Sequence, residues 1–146
     1  NAEAVPLAKE SHDNPSRGSI KIMVVDDNVD AADGLAMVLR QSGHRVQTAN
    51  SGPDAVDTAE RFNPSVIFLD LGMPGMSGYE VARLIRQSPR GREVMLVALT
   101  GWSQSDVREA TRSAGFNLHL VKPVDYVALQ KLLDGWKQDT KLTIAS

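Results

Sequence analysis

The 146-residue chain has no cysteine. That excludes a disulfide framework and a thiolate metal site, and it fits a reducing compartment. Long apolar runs are missing too: the longest, Val94 to Leu99, is far too short to cross a bilayer. The first residues are polar and contain no apolar signal-peptide core, so no signal peptide is expected. Neither charge dominates, with 16 Lys and Arg against 18 Asp and Glu and a net charge of −2. That balance points away from nucleic acid and from direct membrane contact. Glycines are also lacking where a nucleotide-binding turn would need them, because the turn after the first apolar run reads Asp26-Asp27-Asn28. The remaining composition is that of an ordinary globular domain, long enough to bury one core.

What is present is an alternation of periods. Apolar strands are predicted at Ile20–Val25, Arg45–Ala49, Val66–Asp70, Met95–Thr100 and Leu118–Val121. Amphipathic helices separate and follow them. The first places Ala31, Leu35, Val38, Leu39 and Ser42 on one face, and the second opens at Ser51-Gly52-Pro53. The third carries Val81, Leu84 and Ile85 behind a capping box of Ser77 and Glu80. The fourth begins at Ser103 with Asp106 and has a thin apolar face of Val107, Ala110 and Ala114, whose small burial implies low local stability. The last aligns Leu129, Leu132, Leu133 and Trp136. Five βα units imply an α/β fold: a doubly wound, five-stranded parallel sheet covered on both faces. Strands one, three and four are continuously apolar, as central strands are, whereas strands two and five alternate with polar residues, as edges do. Right-handed crossovers then favour the strand order 2-1-3-4-5. Residues 1–19 read as a linker or the end of a preceding domain, 20–137 as the domain, and 138–146 as a polar tail.

Polar groups close these strands at matching places. Asp26 and Asp27 follow the first, Asp70 ends the third, Thr100 ends the fourth and Lys122 follows the fifth. The carboxyl edge of such a sheet is where sites form. A lone aspartate there is usually a helix cap or turn former, a lone threonine a loop hydroxyl and a lone lysine a solvated charge. Together they suit a divalent cation and a phosphoryl group. Clustered carboxylates need a cation or a donor network, and Mg2+, a hard ion that takes oxygen ligands, is the simplest partner. An aspartate carboxylate can attack phosphorus to give an acyl phosphate. Such a transfer needs charge neutralisation and positioning more than acid–base chemistry, and Lys122 and Thr100 can supply both. A small phosphoester hydrolase would need a second carboxylate near Asp70, and Asp70-Leu71-Gly72 offers none two residues on.

The motifs Val24-Val25-Asp26-Asp27-Asn28, Asp70-Leu71-Gly72-Met73-Pro74-Gly75-Met76-Ser77-Gly78, Ala98-Leu99-Thr100-Gly101 and Val121-Lys122-Pro123 resemble those of response regulator receiver domains of two-component signalling. The resemblance spans residues 20 to about 136 and implies a (βα)5 flavodoxin-like fold. It also implies that Asp70 accepts phosphate from the phosphohistidine of a histidine kinase or phosphotransfer domain. Asp27, Asp70 and the Gly72 carbonyl would hold Mg2+ directly, with Asp26 assisting. Lys122 would pair with Asp70, Thr100 would move toward the phosphoryl group, and the Lys122-Pro123 peptide would be cis. A receiver of this kind is not an enzyme by itself beyond its own phosphorylation and dephosphorylation.

Two positions depart from the usual pattern. The second switch position, three residues before the lysine, carries His119 rather than Tyr or Phe, which brings a titratable ring to an edge strand. Trp102 stands two residues past Thr100, where a bulky ring would shield an acyl phosphate from water, and Gly72 offers no side chain to assist hydrolysis. Nothing after residue 137 reads as a DNA-binding effector. Ala4-Val5-Pro6-Leu7-Ala8 resembles the closing strand of histidine-kinase ATPase domains, and Ala98–Trp102 and Ala114–Asp125 look like receivers fused to hybrid kinases. The reading is therefore the C-terminal receiver of a hybrid sensor kinase, cytoplasmic even if its parent kinase is membrane-bound. The alternatives are a free-standing response regulator and a pseudo-receiver that serves as a binding module.

Overall fold

A computed structural model describes the backbone of residues 19–101 and 105–145, and the side chains of 19–101 and 109–135. Five strands alternate with five helices: β1 (Lys21–Val25), α1 (Val29–Gln41), β2 (Arg45–Ala49), α2 (Gly52–Phe62), β3 (Val66–Asp70), α3 (Gly78–Gln87), β4 (Met95–Thr100), α4 (Ser105–Ala114), β5 (Leu118–Val121) and α5 (Tyr126–Ala145). A single 3-10 turn, Arg90–Arg92, leads into β4. All pairings are parallel, in the order β2-β1-β3-β4-β5 that the strand compositions predicted.

Strand alternation divides the interior into two cores. Ile22, Val24, Phe68, Val97 and Leu99 face Ala32, Leu35, Ala36 and Leu39 of α1 and Leu129 and Leu133 of α5. Met23, Val25, Ile67, Leu69, Leu96 and Ala98 face Ala55 of α2, Val81, Ala82 and Ile85 of α3, and Ala114 of α4. Every residue of β3 is buried, whereas the edge strands β2 and β5 alternate or stay partly exposed.

The helices rotate slightly from their predicted faces. In α1 the buried stripe is Ala32, Leu35, Ala36 and Leu39, while Ala31 and Ser42 are exposed. Two alanines one turn apart let the helix lie close to the sheet, a gain that a count of large apolar residues misses. In α3, Ala82 replaces Leu84, which is exposed. In α4, Thr111 and Ala114 are buried and Ala110 is exposed. Residues 138–145, expected as a polar tail, continue α5. Nothing in that stretch breaks a helix: it has no proline, and its Lys, Leu and Ala favour one. Ser103, Trp102 and the Trp136 side chain lie outside the described residues, so the second capping box and the shielding indole are not among the features seen.

The predicted capping box at α3 is present: Glu80 N donates to Ser77 Oγ and Ser77 N to Glu80 Oε1. Ser77→Ala should cost about 1 kcal/mol of stability, read as a lowered chemical-denaturation midpoint at unchanged slope.

At the sheet's amino end a single cation closes the fold. Arg86 Nε donates to Gly115 O at 2.9 Å. Its Nη1 lies within hydrogen-bonding distance of the Gly91, Arg92 and Val94 carbonyls. Nη2 donates to Asn117 Oδ1, which also accepts from Leu96 N. One guanidinium thus ties α3 to the entry of β4, the end of α4 and the approach to β5. No carboxylate pairs with it among the described residues. Burial lowers its pKa, yet a guanidinium stays charged throughout the range in which proteins fold.

Candidate functional site

Ladder hydrogen bonds that run one residue past the strands aim the carboxyl-edge residues. Asp26 N donates to Ala49 O of β2, Leu71 N to Leu99 O of β4 and Lys122 N to Thr100 O of β4. Asp26, Asp70 and Thr100 are buried, Lys122 is half-buried and Asp27 is exposed.

The structure brings the predicted groups together. Carboxylate oxygens of Asp26, Asp27 and Asp70 lie within 4.8 Å of one another. Lys122 Nζ stands 3.2 Å from Asp70 Oδ1 and 3.3 Å from Asp26 Oδ2. The peptide that follows it, Lys122-Pro123, is cis, as the resemblance implied. Asp26 Oδ1 accepts from Asn28 N at 2.9 Å, and Asp70 Oδ1 from Gly72 N at 3.2 Å. Gly72 therefore meets Asp70 through its amide. His119 sits on β5 opposite Ala98 and lines a surface groove with Thr111, Arg112 and Phe116.

The electrostatics are those of crowded like charges relieved by one amine. Burial raises the Asp26 pKa, and repulsion from Asp70 adds to it. The Asn28 amide and Lys122 oppose the rise without cancelling it. At Lys122, burial is the largest single influence and acts downward, but Asp70 and Asp26 together outweigh it and raise the pKa. The ammonium is therefore retained at neutral pH. Three oxygen-bearing acids against one cation leave negative charge in excess, and one of the acids, Asp27, is open to solvent. That donor set fits a hard divalent ion that keeps some of its water.

Two residues of the site had no role of their own in the sequence: Gly78, which stands only within a motif, and Asn50, in none. A Cβ on Gly78 would fall 2.6 Å from the Asp70 carbonyl oxygen and 2.9 Å from Leu71 Cα, so the start of α3 closes directly on the strand end that bears Asp70. Asn50, the first residue past β2, donates from Nδ2 to the Asp26 carbonyl at 2.9 Å. The strand-end rule applied to β2 would have found it.

Residues 22–134 match the family model of the response regulator receiver domain. The chain belongs to that family. Mg2+-dependent phosphotransfer is general among receivers. Over 137 residues the chain is 30% identical to the CAI-1 autoinducer sensor kinase/phosphatase CqsS of Vibrio cholerae; the match covers 93% of this chain and 19% of that protein. The receiver domain of the sensor histidine kinase PA1611 from Pseudomonas aeruginosa, solved with magnesium coordinated in its active-site cleft, superposes with a TM-score of 0.74 at 35% identity, covering 81% of this chain and 97% of that one. A third match is the co-crystal structure of the Saccharomyces cerevisiae histidine phosphotransfer signaling protein Ypd1 and the receiver domain of its response regulator Ssk1. It aligns with a TM-score of 0.75 at 30% identity, covering 81% of this chain and 88% of that one. Among the described residues of this receiver, no helix is long and apolar enough to cross a membrane.

Proposed function

We propose that Asp70 is the phosphoacceptor of this receiver, that phosphohistidine is the donor, and that the receiver belongs to a hybrid sensor histidine kinase. The observation that carries the reading is the placement of Lys122 Nζ 3.2 Å from Asp70 and 3.3 Å from Asp26, beside an acidic cluster that also includes Asp27. An oxygen of Asp70 attacks phosphorus, the P–O bond forms as the P–N bond breaks, and the imidazole leaves with the bonding electron pair. Lys122 balances charge on the acceptor and on the incoming phosphoryl oxygens, and the Gly72 amide fixes the rotamer of Asp70. Thr100, buried at the end of β4, has its hydroxyl on the same edge for a phosphoryl oxygen. Asp27, Asp70 and the Gly72 carbonyl would hold Mg2+, with Asp26 as the inner support; the ion supplies countercharge that the lone amine cannot.

Transfer from a histidine kinase or phosphotransfer protein fits the family, and likeness to a sensor kinase/phosphatase across nearly the whole chain supports the hybrid context. By itself the domain performs only its own phosphorylation and dephosphorylation. Intact-mass spectrometry after incubation with acetyl phosphate and Mg2+ tests the acceptor. One added phosphoryl group is expected in the wild type and none in Asp70→Asn or without Mg2+. Uptake retained by Asp70→Asn would place the acceptor elsewhere.

A further inference from the structure

The three acids of the site are not held equally. Asp26 is fixed on every side: its amide by Ala49 O, one carboxylate oxygen by Asn28 N, the other by Lys122 Nζ, and its carbonyl by Asn50 Nδ2. Asp70 is fixed by Lys122 and the Gly72 amide. Asp27 is exposed, and its side chain has no hydrogen bond or ion pair among the described residues. Where its carboxylate stands is therefore decided by the backbone, first of all by the peptide that joins it to Asp26. The oxygen of that peptide is the one Asn50 holds at 2.9 Å.

We infer that Asn50 is a positioning residue for divalent-cation binding. By anchoring the Asp26–Asp27 peptide to the end of β2, it presents Asp27 to the ion without touching the ion itself. The inference rests on the reading of the acidic triad as the Mg2+ site. Physically it is an outer-shell effect, in which a neutral donor aims a ligand through the main chain. A carbonyl that already accepts one hydrogen bond cannot swing freely, so the main chain that carries Asp27 is ordered before the ion arrives and only the side chain remains to be fixed. Asn50 suits the task because it donates without adding a charge. An aspartate there could not donate and would set one more negative group against the crowded acids, and an apolar residue would leave the carbonyl to water.

The sequence context agrees. Asn50 lies between β2 and Ser51, and Ser51 Oγ accepts from Asp54 N to cap α2, so the capping task at this turn is taken by another residue. The Asn50 amide is free to reach across to β1.

The test is calorimetric titration of the whole chain with Mg2+ alone, without a phosphodonor, for wild type, Asn50→Leu, Asn50→Gln and Leu133→Ala. Leu133, on α5, is buried in the core on the opposite face from α2, so its truncation lowers stability without touching the residues of the site. Asn50→Leu should weaken Mg2+ binding about ten-fold, in line with the loss of an outer-shell partner. Asn50→Gln, which keeps an amide donor, should recover part of that loss, and Leu133→Ala should bind as the wild type does despite a lower melting temperature. Wild-type affinity in Asn50→Leu would overturn the inference. So would equal losses in Asn50→Leu and Leu133→Ala, which would make the effect one of general stability, or a Gln variant no better than Leu. Failure of the wild type itself to bind Mg2+ would instead overturn the metal-site reading on which the inference rests.

Discussion

Gly78→Ala is expected to slow phosphoryl uptake at Asp70 about 100-fold, because a misplacement near 1 Å at a reacting group costs a rate factor of that order. The added methyl would meet the Asp70 carbonyl oxygen at 2.6 Å, Leu71 Cα at 2.9 Å and the Asp70 carbonyl carbon at 3.2 Å. All three are main-chain atoms, so no flexible side chain can swing aside. Either the start of α3 lifts or the end of β3 moves, and that strand end carries the acceptor. The relation of Asp70 to Lys122 and to the Gly72 amide, set within tenths of an ångström, is then lost. Initial rates of mass gain with acetyl phosphate would measure the effect. Gly34→Ala is the control. It lies within α1, and an added Cβ there meets nothing within 4 Å. That variant should phosphorylate normally and gain about 0.5–1 kcal/mol of stability from better helix propensity. A normal rate in Gly78→Ala would mean that α3 can retreat without pulling on the acceptor.

The second large effect runs in opposite directions for stability and for binding. Asp26→Asn should raise the melting temperature at pH 7 in the absence of Mg2+ while sharply weakening Mg2+ binding. Burial, joined by repulsion from Asp70, raises the Asp26 pKa above its ordinary 3.8. A raised native value means that the folded state binds this proton more tightly than the unfolded chain does. Stability therefore falls as pH rises from about 3.8 through the native value, and above that the fold carries the full cost of the charge. The Asn variant escapes that cost, and its advantage should shrink as pH approaches 3.8, where the wild-type group becomes neutral as well. Melting curves at pH 7 and pH 4 measure both halves. A variant less stable than wild type at pH 7 would show that pairing with Lys122 outweighs desolvation. The folded protein would thus tolerate a locally unfavourable charge for the sake of its ligand, as functional sites often do.

Much of the architecture could be read from residue patterns because it depends on them directly. Continuous apolar runs at β1, β3 and β4 need cover on both faces, and the polar alternation of β2 and β5 can only suit edges, so strand order followed. Asp26, Asp27, Asp70, Thr100 and Lys122 were legible together because each ends or follows a strand, and a parallel sheet brings all such ends to one side. Less legible were features that depend on how two surfaces meet. The stripe of α1 could turn by one residue between Ala31 and Ala32 at little hydrophobic cost, and contact with the sheet chose Ala32. Arg86 looks like any charged residue on an amphipathic helix until the carbonyls of three other segments surround it. Asn50 follows β2 as the acids follow their strands, yet its role is not in any motif, because its donor serves a main-chain oxygen and side-chain motifs do not record main-chain partners.

The arginine that closes the amino end of the sheet has a consequence for how the protein responds to acid. Its partners are carbonyl dipoles and an amide, none of which gains a proton as pH falls. The opposite end is held by an ammonium between two carboxylates, one of which, Asp26, carries its charge against burial. The molecule is thus polarised along its strands into a fixed base and a titratable rim. As pH falls toward 3.8 the cost of the buried Asp26 charge is relieved, so hydrogen exchange around that strand end should slow, while the amides near Gly91, Leu96 and Asn117 keep their protection. Acid would thus retune the working end and leave the foundation as it is.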